Sequence, residues 1–321
     1  MSDRPPATAT HAAIYARLAL VALIWGGTFI AGRIAATEIA PATAALWRYL
    51  AATVAVLAAQ LVLEGRLPRL SARQWLGVTL LGATGVAAYN LCFMIGLQTV
   101  PASRASLIVA LNPAGTFVGA ALLFGEPVDR RKVLGVALAL LGAVIVIGRG
   151  NPLAPFTGGI GAGDAVIFGC VVSWVAYTLI GKRILAGLSP LAATTYATLT
   201  GTAILAVAAA ALPAPLGGLR VPDASLAAWA SIAFLGVFGT AVAFVWFYEG
   251  VRTIGPARAA VFINLVPVAA VALGVLLLGE ALEPSMLAGG ALVVAGVWLL
   301  NRPAPRDAGT AGTLPSAPRS A

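Results

Sequence analysis

The sequence predicts an all-α membrane protein whose ten transmembrane helices form two inverted five-helix repeats. Three observations predict it. The first is composition. Of 321 residues, 60% are hydrophobic and only 10% charged, where a soluble domain carries about 25% charged residues. So few polar groups cannot cover a globule, and much of the surface must face lipid. The second is an internal repeat. Shifting Trp75–Val146 by 154 positions lays it on Trp229–Leu300 without a gap, with about twenty identities in roughly seventy residues. Gly96/Gly250, Arg104/Arg258, Pro113/Pro267, Gly125/Gly279, Glu126/Glu280, Gly135/Gly289 and Gly142/Gly296 are among the matches. The third is parity. Five helices per copy is an odd number, so the second copy enters the membrane from the opposite side, related to the first by a pseudo-two-fold axis in the membrane plane.

The elements follow in order. Residues 1–13 form a polar, Pro/Ala-rich leader without a cleavage site. The first repeat, 14–148, holds helices at Ile14–Gly32, Thr43–Leu63, Trp75–Leu97, Ala102–Phe124 and Val133–Ile147. A Gly/Pro-rich linker, 149–163, separates the halves. The second repeat, 164–301, holds Ala165–Ile180, Pro190–Ala211, Leu226–Phe247, Ala257–Leu278 and Met286–Leu300. Most of these approach the roughly 20 apolar residues that cross a bilayer. Helices satisfy their own backbone in lipid, and the alternating polarity of barrel strands is absent. The tail, 302–321, is Pro, Ala, Gly, Ser and Thr around a few charges, and is expected to be disordered. The repeat reaches the front of each half at an offset of 149, pairing Trp25 with Trp174, Gly32 with Gly181, Arg33 with Lys182 and Pro41 with Pro190.

Loop charge sets the expected orientation. With the amino terminus inside, fifteen Lys and Arg lie in inside segments and four in outside ones, so both termini are expected in the cytoplasm of a bacterial-type inner membrane. The net charge of +9 is spread between apolar segments rather than gathered in a patch, which argues against nucleic acid. Cys92 and Cys170 sit in apolar segments and the single histidine, His11, in the leader, so no metal site, cofactor site or histidine proton relay is expected.

Trp25-Gly-Gly-Thr-Phe29, Pro41 with Arg48, Asn112-Pro113 running to Gly125-Glu126 with Gly135, and Leu265-Val-Pro267, Gly279-Glu280 and Gly289 together resemble the EamA type of the drug/metabolite transporter superfamily. The similarity runs from Ile14 to Leu300. The resemblance implies an inner-membrane carrier of the kind that exports amino acids, other metabolites or toxic compounds. It fixes no substrate.

Polar groups inside a bilayer are expensive and mark candidate sites. Arg48 lies inside the second helix, and its repeat mate is Ala197. It either orients a substrate carboxylate or snorkels to the interface. Asn112, with Gly115, Thr116 and Gly119, shares one helix face, which either lines a cavity or packs as a small-residue seam. Asn264 repeats the theme. Pro113 and Pro267 are candidate hinges, since each frees a carbonyl near mid-membrane. Trp25 and Thr28 on the first helix, Trp174 and Tyr177 on the sixth, and Tyr89 and Asn90 on the third complete the candidate substrate wall. Trp246 and Tyr248 are expected to anchor at an interface. The threonines of the seventh helix are expected to bond their own backbone. Glu126 and Glu280 are read as helix-end and gate-loop elements.

No Asp or Glu lies deep in any helix, which disfavours a buried-carboxylate proton mechanism. No phosphate-binding loop appears, so ATP-driven pumping by this chain is not expected. No paired carboxylates or His ligands suggest an enzyme. The leading expectation is a secondary carrier exporting a small amphipathic metabolite, of the amino-acid kind, by alternating access, with substrate and lipid as its partners. A lipid-linked-sugar flippase and a multidrug efflux carrier stand as alternatives. A non-transport scaffold gains nothing evident from Pro-broken polar helices.

Overall fold

The computed structural model describes residues 11–126, 128–151, 161–184 and 187–301. Residues 1–10, most of the linker and the tail lie outside them. Among the described residues the chain forms α1 (His11–Glu38), α2 (Pro41–Glu64), α3 (Ala72–Leu81), α4 (Tyr89–Leu97), α5 (Ala102–Val109), α6 (Asn112–Phe124) and α7 (Arg130–Ile147) in the first half. The second half forms α8 (Ala162–Ile184), α9 (Pro190–Ala211), α10 (Leu226–Gly236), α11 (Ala243–Ile254), α12 (Pro256–Ile263), α13 (Val266–Leu278) and α14 (Pro284–Asn301). Among the described residues there is no strand.

Among the described residues, nine stretches are long and apolar enough to cross a membrane. The tenth expected span is α7, which has 18 residues and opens on Arg130, Arg131 and Lys132, more charge than so short a span ordinarily carries. Val62, Leu122, Leu226 and Leu276 are 77–85% exposed, as a lipid-facing belt requires.

The helices run past the apolar stretches that mark them in the sequence. α1 continues beyond Gly32 to Glu38 because no breaker intervenes before Pro41. Hydropathy marks the part in lipid, whereas capping residues mark the ends. Ser71 caps α3 in a capping box with Gln74. Asp129 accepts from the Lys132 N–H at 2.7 Å. Ser189 and Ser225 cap α9 and α10, and Pro41 and Pro190 occupy the first turn, where a missing N–H costs nothing.

Two features interrupt spans that the sequence reads as continuous. The third span contains a π-helical segment at Gly82–Ala88 and the eighth another at Val237–Val242. The fourth and ninth spans break at Ala110–Leu111 and Asn264–Leu265. Pro113 and Pro267 carry no N–H for the carbonyls of Val109 and Ile263, four residues back. The helix restarts through Gly115 N–H to Leu111 O at 2.9 Å and Ala269 N–H to Leu265 O at 2.8 Å.

The inversion is visible where α7 crosses α14. A Cβ on Gly135 would stand 2.8 Å from Gly296 O, and one on Gly296 would stand 2.5 Å from Gly135 O. A Cβ on Gly289 would stand 2.5 Å from Gly142 O. Gly135 and Gly289 are repeat mates, as are Gly142 and Gly296. Each contact therefore maps onto the other when the halves are exchanged, with the helices antiparallel. Small residues let the backbones approach this closely.

The symmetry is broken at one end. α13 packs along α5, whereas their repeat mates α6 and α12 stand apart. A cavity occupies the gap.

Candidate functional site

The cavity has a volume of about 690 Å³, within the range of small-molecule pockets. Every residue expected of the substrate wall and the hinges lines it except Asn90: Trp25, Thr28, Arg48, Tyr89, Asn112, Pro113, Trp174, Tyr177, Asn264 and Pro267. It reaches the end of the molecule that carries Glu126, Lys132 and Lys182.

Arg48 is 7% exposed, so it does not snorkel. Its Nη1 donates to Asn90 Oδ1 at 2.6 Å. Its guanidinium lies 5.3 Å from the centre of the Tyr49 ring and 5.8 Å from that of Phe93. No carboxylate among the described residues pairs with it, and its Nε is buried without a partner. A mid-membrane arginine costs about 3 kcal/mol on insertion scales. A hydrogen bond to a charged group returns about 1.5–3 kcal/mol, and a desolvated ring face up to about 2 kcal/mol. The site is tolerable as it stands, yet one buried donor is still unmet.

Asn90 is wholly buried and does not reach the cavity. Its Nδ2 donates to Tyr49 Oη at 3.0 Å and to Val86 O at 2.7 Å. Val86 belongs to the first π-helical segment, so the widened turn supplies one of the bonds that fix Asn90 beneath Arg48. Asn90 thus positions Arg48 instead of facing a ligand.

The aromatic wall is continuous. Tyr89 and Trp174 have ring centres 5.8 Å apart, and Trp174 and Tyr177 are 5.3 Å apart. Across the cavity Trp25 meets Phe244 at 5.7 Å and Phe247 at 5.4 Å. Trp25 Nε1 donates to Gly239 O in the second π-helical segment at 3.1 Å, and Thr28 spends its hydroxyl on Trp25 O at 2.6 Å. At the broken helices, Asn112 Oδ1 and Asn264 Nδ2 are buried without partners. Asn264 Oδ1 accepts from Asn301 at 3.4 Å.

The comparisons with known proteins bear on this geometry. The EamA-like transporter family matches residues 12–148 and again residues 161–302. The chain belongs to the EamA-like transporter family. It is 28% identical to the uncharacterised transporter YyaM of Bacillus subtilis over 287 residues, 89% of this chain and 93% of that one. It is 33% identical over 285 residues to a probable terminal-alkyne amino-acid exporter of Streptantibioticus cattleyicolor, covering 89% and 92%. It is 28% identical over 284 residues to the inner membrane transporter YedA of Escherichia coli K12, covering 88% and 89%. A crystal structure matches with a TM-score of 0.61 at 20% identity over 88% of this chain and 94% of its own, a likeness of fold alone. This is a multi-pass membrane transporter.

Further residues line the EamA-like cavity beyond the expected substrate wall. Tyr248, expected at an interface, lines it, with its Oη 3.4 Å from Thr194 Oγ1. α11 turns that ring inward. Tyr49 is hidden beside Arg48, where helical spacing assigns neighbours to different faces. Thr194 and Thr198 also line it, while Thr194 bonds Pro190 O at 2.8 Å in the expected backbone fashion. At the mouth Lys182 donates to Glu126 and lies 4.9 Å from the Phe124 ring, and Lys132 lies 5.2 Å from the Phe117 ring. The Lys182 bond holds the Glu126 carboxyl below the usual range.

Proposed function

We propose that this EamA-like transporter is a secondary carrier that exports a small amphipathic metabolite with a carboxylate, of the amino-acid kind, across a bacterial inner membrane by alternating access. The carrying observation is Arg48: nine-tenths buried, in the cavity wall, without an ion pair and with an unmet donor. A substrate carboxylate supplies both the missing charge and the missing acceptor. The aromatic faces of Tyr89, Trp174 and Trp25 accommodate an apolar body, and Asn112 Oδ1 and Asn264 Nδ2 offer an acceptor and a donor to further polar groups. Pro113 and Pro267, at the breaks, serve as hinges.

The positive-inside bias favours both termini and the Glu126 end in the cytoplasm; on that orientation the open end of the cavity faces inward. Lys132 at the mouth, beside the neutralised Glu126–Lys182 pair, favours entry of anions. The same charge disfavours cationic drugs, because among the described residues the one carboxylate in the wall is Glu126 at the mouth, already paired with Lys182. The amino-acid exporter among the relatives supports the substrate class. No enzymatic step is assigned to the site.

The test is transport into proteoliposomes against a panel of amino acids, their methyl esters and cationic dyes, with and without a pH gradient. Carboxylates are expected to be carried and their esters not. In Arg48→Gln the KM for carboxylates should rise about 10- to 100-fold, the equivalent of about 1.5–3 kcal/mol. Unchanged KM in Arg48→Gln, or transport of esters as well as acids, overturns the reading.

A further inference from the structure

The two ends of the molecule differ at a pair of repeat-related carboxylates, Glu126 in the cavity wall and Glu280 outside it. Glu280 follows Gly279, the left-handed cap of α13, whose φ is 64°. Its carboxylate reaches the start of α5, accepting from the Ala102 N–H at 2.7 Å, from the Ser103 N–H at 3.0 Å and from the Ser103 hydroxyl. Its own N–H donates to Gly274 O at 3.1 Å. A Cβ at position 274 would stand 2.7 Å from Glu280 Oε2, so the glycine admits the carboxylate. This contact closes the Glu280 end, where α13 lies along α5.

Glu126 follows Gly125, which caps α6 with the same φ of 64°. The repeat would bring it to the start of α12. It pairs instead with Lys182, and α6 stands off from α12. The cations that neighbour the two carboxylates differ as well. Arg33, the repeat mate of Lys182, spends its guanidinium on Leu97 O and so leaves Glu280 to α5.

We infer that Glu126 and Glu280 are alternating latches. One carboxylate at a time caps the short helix opposite it, Glu280 on α5 in this state and Glu126 on α12 in the other, so that one end is sealed whenever the other is open. A carboxylate is well placed at a helix start, where unpaired N–H groups and the dipole favour negative charge. In the state shown, Lys182 holds the idle latch.

The latches are unequal in sequence. Ala102 and Ser103 offer two N–H groups and a hydroxyl, whereas Pro256 and Ala257 at the related positions offer one N–H and no hydroxyl. The Glu280 latch is therefore the stronger, and the resting equilibrium favours the state open at the Glu126 end.

The inference rests on the alternating-access part of the proposed function and is independent of the substrate. It is tested without substrate by spin-label distances in lipid nanodiscs. The chain carries Cys92→Ala and Cys170→Ala, with labels either at Gln98 and Leu282 or at their repeat mates Arg252 and Val128. In the parent, the 98/282 distance should be short and single and the 128/252 distance long. Glu280→Gln should raise the population with a long 98/282 distance roughly tenfold, with the 128/252 distance shortening in the same fraction. Ser103→Ala, which removes only the hydroxyl, should shift both in the same direction by less, and it serves as the test should Glu280→Gln not fold. Glu126→Gln should deplete whatever population is closed at 128/252. Unchanged distances in Glu280→Gln and Ser103→Ala sink the latch. Both distances opening together sinks it as well, since the ends would then be uncoupled. One fixed distance in every variant, even with a transported substrate added, counts against alternating access itself.

Discussion

The Thr53 hydroxyl meets the Thr202 hydroxyl at 2.9 Å, and at the offset of 149 these two residues are repeat mates. A residue that touches its own mate lies on the pseudo-two-fold axis. Here the axis passes between α2 and α9. Points on an axis move least when one half rocks against the other. Cysteines at 53 and 202, with Cys92 and Cys170 replaced, are expected to form a disulfide that leaves transport intact. Loss of free thiols reports the bond, and substrate flux before and after reduction reports its effect. A cross-link that abolishes flux reversibly would place the moving surface at α2 and α9.

Asn90 holds Arg48 by a neutral acceptor. Asn90→Asp replaces it with a charged one and supplies internally the anion that the cavity is proposed to take from substrate. Affinity for carboxylate substrates should then fall at least about tenfold, the loss of one charge-assisted bond, while the melting temperature holds or rises. Asn90→Leu should cost stability instead, about 1–3 kcal/mol for buried donors left unmet. Thermal melts beside binding curves separate the two variants. A fall in melting temperature with Asn90→Asp at unchanged affinity would leave Arg48 a structural residue only.

The α7–α14 seam tolerates no side chain at its crossing. An alanine at Gly142 would press its Cβ onto the Gly289 carbonyl and stand 2.7 Å from Val293 N. Backbone cannot yield as a rotamer can. Gly142→Ala and Gly289→Ala should each destabilise the protein by about 1–3 kcal/mol, the usual cost of overpacking. The closely spaced contacts also predict non-additivity in the double variant. Melting temperatures in one detergent measure this, and an unaltered melt for both single variants would contradict the close crossing.

The hydrogen bond from Lys182 holds the Glu126 pKa below the ordinary value of 4.5. A carboxyl whose folded pKa is depressed contributes stability above its unfolded pKa and loses it as pH falls through the folded one. Both side chains are well exposed, at 36% and 53%, so solvent screening keeps the contribution small. The mouth pair should persist through neutral pH and open only in the acid range below 4.5. Carboxyl NMR of labelled glutamate should show a Glu126 midpoint below 4.5 that moves up in Lys182→Gln. A midpoint indifferent to that substitution would assign the shift to something else.

The sequence carried the helix positions, since lipid demands long apolar runs, and it carried the inversion, since five is odd. Most of the candidate residues it picked out line the cavity, because buried polar and aromatic groups in a membrane have few other uses. What it hid has physical causes. Gly82–Ala88 reads as ordinary apolar helix, because widening a turn leaves no mark in composition. Asn90 looked like a ligand contact because a buried amide and a substrate-facing amide are the same letter. Tyr49 goes unnoticed and Tyr248 is assigned to an interface, for want of the helix rotations that turn them toward the cavity. The difference between the Glu126 and Glu280 ends belongs to a conformational state, which a sequence does not specify.

The two π-helical segments sit at matching places in the two halves, and the ungapped match of Trp75–Val146 with Trp229–Leu300 runs straight through both. A π turn arises when a helix absorbs one additional residue. Had each half gained that residue separately, two unrelated insertions would have had to land on the same spot. The widened turn therefore belongs to the repeat itself, in register in both copies. In the first half it now serves Asn90 through Val86, and in the second it receives Trp25 at Gly239. One and the same irregularity thus does different work in the two halves of the molecule.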